Sequence, residues 1–263
     1  MPRVRVVSFD LWDTVFIDDS DEPKRTRQGL PPKGVERRDL VRHFLARHAP
    51  VERALVDCAY DTGDAAFREV WHNQHVTWPV EVRLRTVLAG LNRELPEGEF
   101  RELVRLHEEM ELGVRPDLVP GAAEALRLLH QRYPLAVVSD AIFSPGRALR
   151  ELLAGYGLLD LFSALAFSDE VGRSKPAPEM FLRAAELTGC RADEIVHVGD
   201  REHNDIAGAK DAGARAVLIT AAVDRGSAHT RADAVCRNFA QLPEIIGALD
   251  EDTYAIHTSV SDH

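Results

Sequence analysis

The sequence predicts an α/β fold: a parallel sheet with helices on both faces, interrupted after its first strand by an inserted helical bundle. Three observations carry that expectation. Short apolar runs ending in an acid or small hydroxyl recur, helical segments alternate with them after residue 122, and residues 35–112 read as helix throughout.

The first strand is read over residues 4–9, a Val-rich run that ends at Asp10. Residues 18–34, DDSDEPKRTRQGLPPKG, hold three prolines, two glycines and many charges, and predict a loop. Four segments follow with apolar residues at three-to-four spacing: VERRDLVRHFLARH, ERALVDCAYDTGDAAFREVWH, PVEVRLRTVLAGLN and EGEFRELVRLHEEMEL, with Pro79 suited to the first turn of the third. They predict an independent helical unit over 19–112. The stretch GVRPDLVPGA ends it, and alternation begins: AAEALRLLHQRY before LAVVSD, PGRALRELLAGYG before ALAFSDE, APEMFLRAAELTG before EIVHVGD, DIAGAKDAGA before RAVLIT. The sheet domain is therefore expected over 1–18 and 113–249, and 250–263 as a flexible tail.

At 263 residues and 45% hydrophobic, the chain can bury a large core and exceeds the ~100–200 residues usual for one domain. A net charge of −11 argues against nucleic acid and anionic membranes as partners. With no signal-peptide core and no apolar run near the ~18 residues of a membrane span, a cytoplasmic protein is expected. Cys58, Cys190 and Cys236 lie far apart in sequence and are expected to be reduced and mostly buried.

The strand ends carry the chemistry. Asp10, Ser139-Asp140, Ser168-Asp169 and Gly199-Asp200 fall at the carboxyl ends of predicted strands, where parallel sheets bind ligands. Several carboxylates there are costly together unless a cation or lysine sits among them. Mg²⁺ suits such oxygen donors, and Lys175 of RSKPAPEMF supplies a lysine just ahead of a helix.

Four segments taken in order, FDLWDTV, VVSD, SKPAPEMF and VGDREHND, resemble the motifs of the haloacid dehalogenase superfamily. That resemblance implies a Rossmann-like core, and the insertion after the first strand is similar to the family's C1 cap. Carried over by position, Asp10 resembles the nucleophile that forms an aspartyl-phosphate. Ser139 and the backbone N–H of Asp140 resemble the phosphate-holding groups, although Asn is frequent at the latter place. Lys175 looks like the lysine that orients the nucleophile, and Asp200 and Asp205 like the metal carboxylates.

Trp12 stands where the family's phosphatases usually carry a second aspartate, the acid/base of the reaction. An indole cannot exchange a proton usefully near neutral pH. Asp13, one residue further, is expected to point away from Asp10 on an extended segment. Three readings follow. In the leading one, Trp12 gives its backbone carbonyl to Mg²⁺ and the protein is a phosphohydrolase of a small phosphorylated metabolite. In the second it resembles the L-2-haloacid dehalogenases, which carry an aromatic at that place and need no metal. In the third it has lost turnover and binds a phosphorylated ligand or a protein. A monomer or homodimer is expected in each.

Two further sets are candidates for substrate recognition. Trp71, His75 and Trp78 would share one helix face, with His72 beside them. Lys24, Arg25 and Arg27 could meet a second anionic group, or face solvent as charges in a hydrophilic loop usually do.

Overall fold

The apolar runs that end in acids become the strands of one sheet. In the computed structural model, which describes residues 3–258, the strands are β1 (Val6–Phe9), β2 (Leu135–Ser139), β3 (Phe162–Phe167), β4 (Ile195–Gly199), β5 (Arg215–Ile219) and β6 (Ala234–Cys236). They pair in parallel in the order β3-β2-β1-β4-β5-β6. Every residue of β1, β2, β4 and β5 is buried, which explains their continuous rather than alternating apolar pattern. Phe9 stands opposite Val137 on one side and Val198 on the other, so the carboxyl ends of β1, β2 and β4 lie side by side. The connection changes sides of β1 between β3 and β4, which makes this edge the switch point of the sheet.

The chain divides into two compact units: residues 1–18, 117–140 and 153–263 with the sheet, and residues 19–116 and 141–152 with most of the other helices. The second differs from the boundaries read from sequence in also holding residues 141–152, which follow β2. Buried Val41, Phe44, Leu45, Leu84, Phe100 and Leu103 form its apolar core. The sheet unit has a core of its own, in which Met180 and Phe181 of the helix Pro178–Thr188 pack with Val6, Val138 and Ile195.

Several local expectations are corrected. The predicted loop 18–34 contains a helix, Glu22–Arg27. The helix Arg53–Gln74 stops at His75, which takes a left-handed φ of 53°, so Trp78 lies beyond it and the shared helix face does not form. Trp71 and Trp78 instead meet around Phe67, with ring centroids 6.2 and 6.4 Å from its own. Cys236 is buried, Cys190 half-buried and Cys58 exposed, against the expectation of mostly buried thiols. Of the segment expected as a tail, residues up to Thr258 continue the helix Leu242–Thr258, and Asp250 accepts the N–H of Val4 at 2.9 Å and the hydroxyl of Tyr133 at 3.2 Å. Residues 259–263 lie outside the described residues. No described helix is long and apolar enough to cross a membrane.

Candidate active site

The strand ends bring the predicted residues together. Asp10, leaving β1, is fixed by its N–H, which donates to Val198 of β4 at 2.9 Å. Its Oδ1 accepts the Ser139 hydroxyl at 2.9 Å and lies 2.6 Å from Lys175 Nζ, and neither contact uses Oδ2. The same ammonium lies 2.5 Å from Asp205 Oδ1. The Lys175 N–H donates to Asp140 Oδ1 at 2.9 Å, and Asn204 Nδ2 donates to the Lys175 carbonyl at 3.2 Å, so the lysine is held by backbone as well as by charge.

Asp205 reaches this point because of its neighbours in sequence. It lies in a π-helical turn, Glu202–Ala207, of the kind that recurs at functional sites. Its Oδ2 accepts the Arg201 N–H at 2.9 Å. Gly199 makes room: a Cβ there would stand 2.4 Å from Asp205 Cγ, closer than any side chain tolerates. Asp10, Asp200 and Asp205, all buried, each offer an oxygen within 4.8 Å of the others.

The electrostatics follow from burial and an excess of acid. Burial pushes the carboxyl of Asp200 up to about 8, with Asp205 and Asp10 adding repulsion and Arg225 opposing. Burial also raises Asp10, against the pull of Lys175, and lifts Asp140 to about 6. Asp205 is the exception. Burial would raise it too, but Lys175 and His197 outweigh that and hold it below the usual carboxylate range. Lys175 is correspondingly held above the usual range: its own burial is outweighed by Asp10, Asp205 and Asp140.

The geometry fits a hard divalent cation. The three carboxylates supply oxygen donors of the type Mg²⁺ takes, and Asp200 Oδ1 is buried with no hydrogen-bond partner. Among the described residues, five carboxylates, Asp10, Asp13, Asp140, Asp200 and Asp205, are joined through contacts with Lys175 and Arg225, and Arg201 adds a third positive charge acting on Asp200. An added positive charge would relieve that imbalance.

Trp12 and Asp13 behave differently from the sequence expectation. The segment turns sharply after Leu11, whose carbonyl accepts the N–H groups of Val15 and Phe16, both at 2.8 Å. Trp12 is half-buried, its ring 6.0 Å from that of Phe16. Asp13 adopts φ 54°, a left-handed conformation that aspartate tolerates better than most residues. Its carboxylate joins the site through Arg225 rather than pointing away on an extended strand.

Two participants escaped the sequence reading. His197, fully buried in β4, lies 3.3 Å from Asp205 Oδ1 through Nε2 and 3.0 Å from the Ser8 hydroxyl through Nδ1. Burial lowers its pKa and keeps it neutral, which suits Nε2–H donating to Asp205 while Nδ1 accepts from Ser8. One polar residue inside the run IVHVG was the available signal. Arg225, in the segment after β5, had none.

In the other unit, Arg25 is buried, paired with Glu36 and donating to the Pro31 carbonyl at 3.0 Å, while Lys24 Nζ donates to the Arg115 carbonyl at 2.6 Å. Arg27 is exposed. The set proposed for a second anionic group is thus divided, with Arg25 already committed.

With this geometry in place, comparison with known proteins is decisive for the family. The model for haloacid dehalogenase-like hydrolases matches residues 4–213. The chain belongs to that family. Among haloacid dehalogenase-like relatives, a glyceraldehyde 3-phosphate phosphatase from Methanopyrus kandleri is 38% identical over 76 residues, 29% of this chain and 31% of that one. A phosphoglycolate phosphatase from Pectobacterium atrosepticum is 38% identical over 98 residues, 36% of this chain and 42% of its own. The chain thus aligns with less than half the length of either. A solved structure, the 2-haloacid dehalogenase from Pseudomonas syringae, superimposes with a TM-score of 0.66 at 26% identity, covering 94% of this chain and 99% of that one.

Proposed function

We propose that this haloacid dehalogenase-like hydrolase is a phosphohydrolase of small phosphorylated metabolites, with Asp10 as its nucleophile and the helical unit as a C1-type cap. The observation that carries the reading is the contact of Lys175 Nζ with both Asp10 and Asp205, beside an acid-rich set whose Asp200 Oδ1 lacks a partner. The phosphatases among the relatives support the substrate class.

In this reading an Asp10 oxygen attacks phosphorus as the bond to the ester oxygen breaks, leaving an aspartyl-phosphate. Lys175 offsets the charge of the nucleophile, and Ser139 with the N–H of Asp140 holds phosphate oxygens. Water then attacks that phosphorus, releases inorganic phosphate and restores the Asp10 carboxylate. Asp10, Asp200, Asp205 and the Trp12 carbonyl would hold Mg²⁺, which supplies positive charge against the phosphate oxygens. The Trp12 side chain cannot protonate the leaving oxygen, so that proton comes from water or from another group. Lacking a positioned acid costs ~10²- to 10⁴-fold, and esters with good leaving groups turn over fastest.

The test is phosphate release from a panel of small phosphate esters with and without Mg²⁺, with Asp10→Asn as the blank. Metal-dependent release absent from the blank is expected. A second reading, displacement of halide from a 2-haloacid by Asp10, draws on Trp12 and on the similarity to the Pseudomonas syringae enzyme. Halide release without metal, and no phosphate from any ester, would replace the first reading with the second.

A further inference from the structure

Arg225 makes two short ion pairs to two different carboxylates. Nη1 lies 2.7 Å from Asp200 Oδ2 and Nη2 lies 2.6 Å from Asp13 Oδ2. A planar guanidinium fixes the angle between its donors, so the two carboxylates are held in a set relation that a lysine point charge would not impose. Asp200 thereby has one oxygen engaged on the arginine while the other, Oδ1, stays buried without a partner.

Both ends of this strut are anchored locally. Asp13 takes its left-handed φ of 54°, and its second oxygen accepts the Asp18 N–H at 3.0 Å. On the other side, Asp224 accepts the N–H groups of Gly226 and Ser227 at 2.9 and 2.8 Å and the Ser227 hydroxyl at 2.8 Å, which folds the segment that presents Arg225. The Arg225 side chain is itself 35% exposed, and ion pairs of that exposure contribute little to folding. Its value lies in orientation.

We propose that Arg225 is a positioning residue of the acid cluster: braced by Asp13, it holds Asp200 through Oδ2 and so presents Oδ1 to a divalent cation. The proposal rests on the metal-dependent reading above. It gives the second acid of FDLWDTV a role other than proton transfer, since Asp13 acts as the brace of the arginine. The opposite reading is that Arg225 competes with the cation for Asp200, and the two differ in the sign of one measurement.

That measurement is Mg²⁺ affinity of the full chain without substrate, by calorimetric titration and by the rise in unfolding midpoint with Mg²⁺. Arg225→Met is expected to weaken binding ~10- to 100-fold, the range found when a group that orients a metal ligand is lost. Arg225→Lys should recover part of the loss. Asp13→Asn should weaken binding less, and the double variant Asp13→Asn/Arg225→Met no further than Arg225→Met alone. Unfolding midpoints without metal show that each variant is folded. Tighter or unchanged binding in Arg225→Met, with wild-type binding that Asp200→Asn abolishes, overturns the assignment of Arg225 alone. No Mg²⁺ response in the wild type removes the metal-dependent reading and this assignment with it.

Discussion

Each unit buries charge, but with opposite bookkeeping. In the helical unit, Lys33 is 2.8 Å from Asp21 and 3.1 Å from Glu111, and Glu111 also accepts the Ser144 hydroxyl. Arg83 pairs with Asp64 at 2.7 Å and donates to the Ile142 carbonyl at 3.0 Å. Cations and anions there answer one another. At the strand ends Lys175, Arg225 and Arg201 face five carboxylates. The helical network also leaves a buried oxygen, Asp21 Oδ2, without a partner, so the two networks differ in charge balance rather than in hydrogen bonding. An unbalanced set marks a place where a ligand completes the charge.

Removing one partner from each network should separate them. Lys33→Met leaves Asp21 and Glu111 buried without their cation and should destabilise the protein by about 3–5 kcal/mol in denaturant titration. Asp200→Asn removes an acid from a set with too many. It should leave the metal-free protein at least as stable as the wild type while cutting metal-dependent turnover on the order of 10³-fold. A large loss of stability in Asp200→Asn would make the strand-end network structural as well.

Two buried groups, one in each unit, predict opposite responses to pH. His107, buried in the helical unit and donating from Nδ1 to the Leu103 carbonyl at 2.8 Å, is held down by its burial at about 4. The unfolded chain takes that proton near 6.5 and the folded chain only near 4. Stability is therefore lost as pH falls through that window, by about 3 kcal/mol in total. Asp200 has the reverse sign. Its carboxyl, raised from 3.8 to about 8, keeps a proton that the unfolded chain has already released, so stability is lost as pH rises toward 8. Asp10 and Asp140, also raised by burial, add to that slope. Well above 6.5, His107 is neutral in both states and drops out of the slope. Calorimetry between pH 6.5 and 8.5 should show the metal-free unfolding midpoint falling, and a shallower slope in Asp200→Asn. A flat profile in the wild type would remove the excess of acid from the account.

How much of this was legible depended on whether neighbours in sequence are neighbours in space. β1 to β4 announced themselves as apolar runs with acids just past their ends and β5 as an apolar run alone, and the motifs located Asp10, Ser139, Asp140, Lys175, Asp200 and Asp205. β6 was missed because Ala234–Cys236 is too short to show a pattern. The last helix was not read from the sequence and its second half was expected as a tail, because that half is polar and shows little periodicity, although Asp250 is engaged in the fold. Arg225 lies 212 residues from Asp13, in a loop with no motif, and only the fold joins them. Charge composition failed differently. Lys24, Arg25 and Arg27 read as one accessible set, for a second anionic group or for solvent, yet Arg25 is 2% exposed, because Glu36, eleven residues on, folds back to it.

The smallest effect tests whether pairing alone, rather than burial, gives a charge its importance. Arg105 contacts Glu102 at 2.7 Å and Glu109 at 2.6 Å, geometry as short as that of Lys33 or Arg225. Its side chain, however, is 48% exposed, so water solvates each charge once the pair is broken. Arg105→Ala should leave the denaturant midpoint within experimental error of the wild type and turnover unaltered. The contrast with Lys33→Met then isolates burial as the main cause, since Lys33 is held by buried Asp21 and Glu111 and by exposed Asp19 at 2.8–3.1 Å, distances no shorter than those of Arg105. A loss in Arg105→Ala approaching that of Lys33→Met would show that distance, and not the exclusion of water, sets what these networks contribute.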